Sequence, residues 1–542
     1  MKKKLFKTVS LAITGVIAAS MAFGCGSGGS PSASSAGTPT AAQTAAAADS
    51  AAATATTGAA TAVTSTPMQV TLLYNDNPSY PFQQNWLPIT EFKKRMNVDL
   101  VCQVVPTADY TAKKQLLLNS GSVPDILDDQ DNDSTFALNG VLLPVSDYLG
   151  QMPNLNAYVQ NPEYKNDIDN MRLQDGKMYQ LPRFYESGGF DSGLAVRKDL
   201  LDKYNLPLPQ TYDDLYNDMA VMKQNDPNLL PMTVFWGIDS VLNFMSPSWN
   251  FAYRTDAYYN WDDGKYEPSS ISPQYKSLIT YLNKCYANGL MDPEIFTADV
   301  DQWTAMMTSG KSAVTFCWSD QLESVNSAGK ESNPDFNLIN LAPLKETADS
   351  PVAKISFPLA VDNFAIPQST ASRLDFDRFL QFVDWWLYSD EGVTLTNWGV
   401  EGISYQVDSS GKKVFTQDLL NSPNGASKQA QMQYGLFGEQ LCGVWPADRY
   451  AEYMGPAAAT ITQQMTQNDQ FLPGTPQPKI SVDDSDQVNT LGAPIKDYVD
   501  QATQSFITGA MNLTTDWDAY VQNVQDKNIQ QIVDIINKGI GK

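Results

Sequence analysis

Residues 26–67 set the first limit on what this chain can fold into, because they cannot join a hydrophobic core. They are Ala, Ser, Thr, Gly and Pro except for Gln43, Asp49 and Val63. A stretch with so little apolar bulk does not offset the entropy lost on ordering, so it is expected to stay a disordered tether. Its reach as a flexible chain is roughly 35 Å. The folding problem is therefore confined to residues 68–542, a length that supports two or three domains with substantial cores.

The tether follows a leader. Lys2, Lys3, Lys4 and Lys7 precede an apolar run over residues 9–23, which ends at Gly24-Cys25-Gly26. A basic start, a short apolar core and a small residue before the cut describe a secretory signal over residues 1–24, too short to serve as a spanning helix. The cysteine makes it resemble a bacterial lipoprotein signal. That resemblance implies cleavage before Cys25, a lipid on its thiol (a diacylglyceryl group, with palmitate as the further acyl chain), and a body held at the extracytoplasmic face of the cell membrane by residues 25–67. Ala22 and Phe23 stand where such signals usually carry Leu and a small residue. An ordinary secretory signal with an incidental cysteine is the competing reading.

Composition narrows the chemistry. The chain has no histidine, which removes a Ser-His-Asp or Cys-His pair and every His-based zinc or iron site; carboxylate chemistry and an oxygen-liganded cation stay open, though no cofactor and no metal are expected. Loss of the four leader lysines takes the formal charge from −24 to −28, so nucleic acid and anionic lipid surfaces are not expected partners. The 11 Trp, 25 Tyr and 22 Phe fit a large soluble body. Cys102, Cys285, Cys317 and Cys442 allow three disulfide pairings, with buried free thiols as the preferred reading.

Gln69-Val-Thr-Leu-Leu-Tyr74 reads as a buried strand. A helix over residues 87–96, a strand over 98–105, a helix from an Asp109 cap to Leu118 and a short strand at 124–127 follow, spacing that predicts a parallel α/β sheet. Ser272-Pro273 opens a helix carrying Tyr275, Leu278, Ile279, Leu282 and Cys285 on one face. Strands are expected over 312–318 and 336–341. Helices are expected over 375–388 and from an Asp516 cap onward, and hairpin turns at Asp262-Asp-Gly-Lys265 and Asp408-Ser-Ser-Gly-Lys412.

A set of short motifs then falls in a fixed order. They are Asn119-Ser-Gly-Ser-Val-Pro-Asp-Ile126, Gly140-Val-Leu-Leu-Pro-Val-Ser-Asp-Tyr148, Asp175-Gly-Lys-Met-Tyr-Gln-Leu-Pro182 and Val196-Arg-Lys-Asp-Leu-Leu-Asp-Lys203. Gly289-Leu-Met-Asp-Pro-Glu294, Ser309-Gly-Lys-Ser-Ala313, Asn397-Trp-Gly-Val-Glu-Gly-Ile-Ser404 and Phe506-Ile-Thr-Gly509 complete the set. In this order the chain resembles the large sugar-binding lipoproteins of family 1 of the extracellular solute-binding proteins, receptors of ABC importers. The resemblance implies an α/β, two-lobe periplasmic-binding-protein-like fold of type II, hinged around an interlobe ligand cleft. By analogy lobe one is 68–190 plus 345–398 and lobe two is 191–344 plus 399–542. It also implies a monomer without catalytic activity that captures a carbohydrate and presents it to the transporter's transmembrane permease subunits.

Sugars present apolar ring faces and a belt of hydroxyls, so candidate contacts are aromatic plates, carboxylates and amides. Asn75, Asp76 and Asn77 end the first strand, with Tyr80 nearby; an Asx turn is the alternative. Trp318 and Asp320 follow a buried strand, and Trp318 is read as a contact or as core. Trp398 and Glu401 lie in a motif near a crossover, with Trp398 alternatively core. Trp445 is read as a loop tryptophan, and Trp236 and Trp249 flank a segment able to line lobe two. Asp128 and Asp129 begin an acidic run whose spacing fails the EF-hand pattern, since Ser134 and Gly140 stand where Gly and Glu are required. They are read as cleft carboxylates or as a solvated loop. Two other classes remain open: a secreted glycoside hydrolase built on paired carboxylates, and a peptide receptor of the same architecture.

Overall fold

The computed structural model describes residues 66–77, 81–129, 134–235, 237–436 and 441–542. Cys25, the expected leader and residues 26–65 of the expected tether lie outside these residues, as do Tyr80 and Trp236, and nothing is described of the Asp320 side chain. The described residues all fall in one compact unit.

The first strand, β1 (Met68–Asp76), runs parallel to β2 (Val98–Pro106) and to β3 (Ile126–Asp128). The helix α1 (Leu87–Met96) matches the expected span and ends where Asn97 adopts a left-handed conformation. The next helix, α2 (Thr107–Ser120), starts earlier than its expected Asp109 cap: Asp109 lies in the first turn, and Gly121 closes the helix with φ +69°. The sheet is completed by β4 (Gln180–Tyr185), the strand Ala360–Ala365 and the strand Val444–Trp445. Ala360–Ala365 is antiparallel to both β3 and β4, so the sheet is mixed rather than all-parallel.

A second sheet has β5 (Ser192–Arg197) at its centre, antiparallel to the strands Val314–Trp318 and Leu338–Asn340. Its core draws on Tyr275, Leu278 and Leu282 of the helix Pro273–Ala287, and on Val499, Phe506, Ile532 and Val533 from the C-terminal helices. The helix Val482–Thr508 was not foreseen, and the expected single terminal helix is two, divided at Asn528. Both hairpins form at the expected turns.

The chain crosses between the two sheets at residues 186–191 and again between Asn340 and Ala360. The expected division is corrected in one respect. Val444–Trp445 pairs in parallel with β4, so this strand belongs to the first sheet and not to the second. It is held where it is because Asn397 donates to the Val444 carbonyl and Trp386 donates to the Leu441 carbonyl. The first crossing needs glycine: a Cβ on Gly189 would sit 2.2 Å from the Tyr450 ring. The four cysteines among the described residues are free, three of them buried.

One buried charge makes a measurable prediction. Asp218, on the helix Tyr212–Asn225, is buried, and its Oδ2 makes no hydrogen bond. Burial, with the nearby Asp214 carboxylate, pushes its carboxyl up to about 6. The folded state then binds more protons than the unfolded chain between pH of about 4 and about 6, so this group's contribution makes stability fall as pH rises through that window. Asp218→Asn is expected to flatten that slope in melting-temperature scans and to stabilise the protein by about 2 kcal/mol at pH 7. An unchanged pH profile would refute the assignment.

Candidate functional site

The register of the first sheet aligns its functional edge. Leu73 pairs with Leu127, Leu127 pairs with Ala365, and Ala365 also faces Gln180. The ends of β1 and β3 therefore stand level with Asp362 and Asn363, and Asn75, Asp76, Asp128 and Asp129 gather along one edge. Open α/β sheets bind ligands beyond the carboxyl ends of their strands.

A network of buried polar groups stiffens this edge. Lys114 Nζ lies 2.5 Å from Asp129 Oδ1, both side chains essentially inaccessible, and Gln180 Nε2 donates to Asp129 Oδ2 at 2.7 Å. Arg183 donates to Asn363 Oδ1 at 2.6 Å, and Asn363 donates to the Cys442 carbonyl at 3.0 Å. Tyr110 donates to the Asp128 carbonyl at 2.5 Å. Next to Asn363, the half-buried Asp362 makes no hydrogen bond to a described residue. Burial pushes its carboxyl up to about 6, against the opposing pull of the Lys114 ammonium. It lines a polar cavity of about 480 Å³ with Arg183, Tyr185, Asn170 and Gln477.

The two sheets meet through a short chain of hydrogen bonds. Glu186 N donates to the Trp445 carbonyl, and the Glu186 carboxylate accepts from Ala447 N at 3.1 Å. Tyr450 donates to Asp191 Oδ2 at 3.0 Å, while the Asp191 carbonyl accepts from the backbone and hydroxyl of Ser319. Two further cavities adjoin this junction. One, of about 240 Å³, is aromatic and lined by Phe190, Phe244, Phe316 and Phe357. The other, of about 550 Å³, lies beside the helix Ser319–Ser332 and is lined by hydroxyl and amide groups including Ser327, Ser422 and Asn340.

Three amides have unused capacity, two at the edge of the first sheet and Asn340 beside the third cavity. Asn75 Oδ1, Gln180 Oε1 and both polar atoms of Asn340 are shielded from solvent and make no hydrogen bond within the described residues. Buried polar atoms in native proteins nearly always have partners, so each of these amides has capacity for a hydrogen bond from a ligand or ordered water.

The candidates fare unequally. Asp76 is partly accessible, but its Oδ1 accepts from Phe82 N at 2.7 Å, the turn-forming alternative. Asn75 and Asn77 lie at the same edge, half-buried. Trp318 is half-buried, edge-on to Phe244, whose ring stacks on Phe316. Glu401 is exposed in a loop outside the three cavities. Four expectations are corrected. Asp129 is consumed by Lys114 and Gln180. Trp249 is core, packed between Tyr212 and Tyr281 with its indole N–H on Ser277.

Trp398 and Trp445 are each 1% exposed and offer no free ring face. Both surround Arg449, whose guanidinium lies 5.8 Å from the Trp398 ring, 5.1 Å from Phe415 and 5.9 Å from Trp445. Arg449 also donates to the Asn397 and Leu436 carbonyls and to Glu452. The tryptophans are held by a protein cation instead of waiting for a sugar. The residues missed from sequence are Asp362, Tyr185, Phe244 and Asn340. Only the odd carboxylate in Ala360-Val-Asp-Asn-Phe-Ala365, an otherwise apolar strand, was a usable signal.

Two α/β bodies crossed more than once by the chain, with polar groups gathered at strand ends between them, define a two-lobe solute receptor. The chain belongs to the bacterial extracellular solute-binding protein family, whose model matches residues 82–393. It is 23% identical over 465 residues to the polygalacturonan/rhamnogalacturonan-binding protein YtcQ of Bacillus subtilis, covering 82% of this chain and 86% of that one. It is 22% identical over 467 residues to the fructooligosaccharide ABC transporter substrate-binding protein FusA of Streptococcus pneumoniae, covering 80% and 82%. Among solved structures it resembles the alginate-binding protein AlgQ2, with a TM-score of 0.73 at 20% identity over 89% of this chain and 99% of that one. Among the described residues no helix is long and apolar enough to cross a membrane.

Proposed function

We propose that this protein captures an oligosaccharide between its two sheet-centred bodies and delivers it to the permease of an ABC importer, without catalysing a reaction on it. The observation that carries this reading is the polar cavity lined by Asp362, Asn170 and Gln477 beside the aromatic cavity lined by Phe244, against which Trp318 stands edge-on. Amides and carboxylates that can each take two hydrogen bonds, beside aromatic plates, are what a ring of hydroxyls requires. Family membership and carbohydrate-binding relatives support it. The first body comprises about 68–190 and 355–446, the second about 191–340 and 482–542, and the crossings between them act as the hinge.

Titration calorimetry against an oligosaccharide panel, with chromatography of the mixture, tests capture without cleavage. A binding sugar should also reduce the radius of gyration in solution scattering. Hydrolysis products would favour the hydrolase, and binding confined to peptides the peptide receptor.

Cys25 anchors the protein through a lipid in this reading. Cys25→Ser is expected to release the protein from the membrane fraction with ligand affinity unchanged; equal retention of the variant would refute the anchor.

A further inference from the structure

We infer that the cavity of about 550 Å³ is a second carbohydrate site, separate from the polar and aromatic cavities of the capture site, and that it takes a small neutral saccharide. The second sheet stands between it and the aromatic cavity. Leu194 pairs with Phe316, whereas the next residue, Ala195, pairs with Asn340. Neighbouring residues of a strand point to opposite faces, so Phe316 lines the aromatic cavity from one face and Asn340 lines the third cavity from the other. The packing agrees: Leu194 and Phe316 share a core with the helix Pro273–Ala287, while Ala195 and Cys317 pack with Val325 of the helix Ser319–Ser332.

That helix turns Glu323, Ser327 and Lys330 toward the space from successive turns. The facing wall comes from residues 420–427 and from the helix Ala447–Gln467, which breaks at Gly455 before Pro456. The walls meet at Gly425, where a Cβ would lie 2.0 Å from the Glu323 carboxylate. Several polar groups here are already committed. Asn326 donates to the Leu338 carbonyl at 2.8 Å and accepts from Leu338 N at 2.7 Å, and Glu452 is held by Arg449 and Ser427. Asn340, two residues beyond Leu338 on the same face, is not committed. It is 6% exposed, and neither its Oδ1 nor its Nδ2 has a partner within the described residues. Ser327 and Lys330 also make no side-chain hydrogen bond or ion pair to a described residue.

An amide with donor and acceptor both unused matches two adjacent hydroxyls, each of which gives one hydrogen bond and takes another. Glu323 and Lys330 are both exposed and of opposite sign, so the space selects an ion of neither charge. Leu322, Met454 and Ala458 supply apolar surface for the C–H face of a sugar ring. The volume lies in the range of small-ligand pockets.

The test is saturation-transfer NMR and calorimetry on the purified chain with maltose, cellobiose, sucrose, melibiose and xylobiose. At least one of these should bind, and Asn340→Leu and Ser327→Tyr should each weaken it roughly tenfold or more, the first by removing the amide and the second by filling the space. The same binding should survive in Trp318→Ala. Replacing an unpaired buried amide by an apolar side chain should not lower the melting temperature; a marked fall for Asn340→Leu would show that the amide is satisfied within the protein and would count against the site. Ser327→Tyr, on an exposed helix face, reads out binding in either case. Silence from all five sugars, or binding unchanged in both variants, overturns the inference and leaves ordered water as the occupant. Binding lost in Trp318→Ala as well places the sugar at the junction and also overturns it. The capture site is read separately: a longer oligosaccharide whose affinity is unaltered by Ser327→Tyr keeps that reading whichever way the disaccharides fall, and loss of its binding in this variant would merge the cavities into one site.

Discussion

Asp129→Ala is expected to destabilise the protein by about 3–5 kcal/mol, because it strands the Lys114 ammonium in the interior. Lys114 and Asp129 are 1% and 0% exposed and lie 2.5 Å apart, so neither charge has water to fall back on. The loss also orphans Gln180 Nε2, the second donor to this carboxylate. Lys114→Met alone should cost a similar amount by leaving the carboxylate unpaired. The double variant Lys114→Met with Asp129→Leu removes both charges, and recovery of most of the loss is expected. Denaturant midpoints for the three variants check this; a double variant as weak as the sum of the singles would show that the pair does not act as a unit.

The tryptophans give the second large effect, and they divide. Trp398→Ala should lower stability by about 3–5 kcal/mol, since it empties a packed site beside Phe415 and Tyr405 and removes one ring from around Arg449. Trp318→Ala should cost less stability than Trp398→Ala, since Trp318 is only half-buried, and should reduce ligand affinity roughly tenfold to a hundredfold. Melting temperature and calorimetry on both variants separate packing from contact. A Trp318→Ala variant that melts early and binds normally would remove Trp318 from the site.

Much of the first sheet was legible in the residues. The run from Gln69 to Tyr74, the helix over 87–96 and the glycine stop at 121 carry their own signals: apolar continuity, helical periodicity and a residue tolerant of positive φ. The Ser272 cap with Pro273 at the first helical turn is equally local, and Ser272 Oγ accepts from Tyr275 N as expected. What sequence misread was the site's aromatic content. A tryptophan looks the same to a sequence reader whether a sugar or a guanidinium lies against its face, and Arg449 stands 51 positions from Trp398 in the chain.

The sequence by itself determined the class of fold and the absence of histidine chemistry, because each depends on composition or short-range order. The tertiary structure decided which polar groups remain available. Asp128, Asp129, Asp362 and Asp76 are alike as carboxylates, yet Asp129 is consumed by Lys114 while Asp362 keeps unused capacity. That distinction depends on strand register and on an ion pair between residues 15 positions apart on different elements. Hydrogen-bond satisfaction is a property of three-dimensional neighbours, so only the folded chain shows which groups its own structure has left for a ligand.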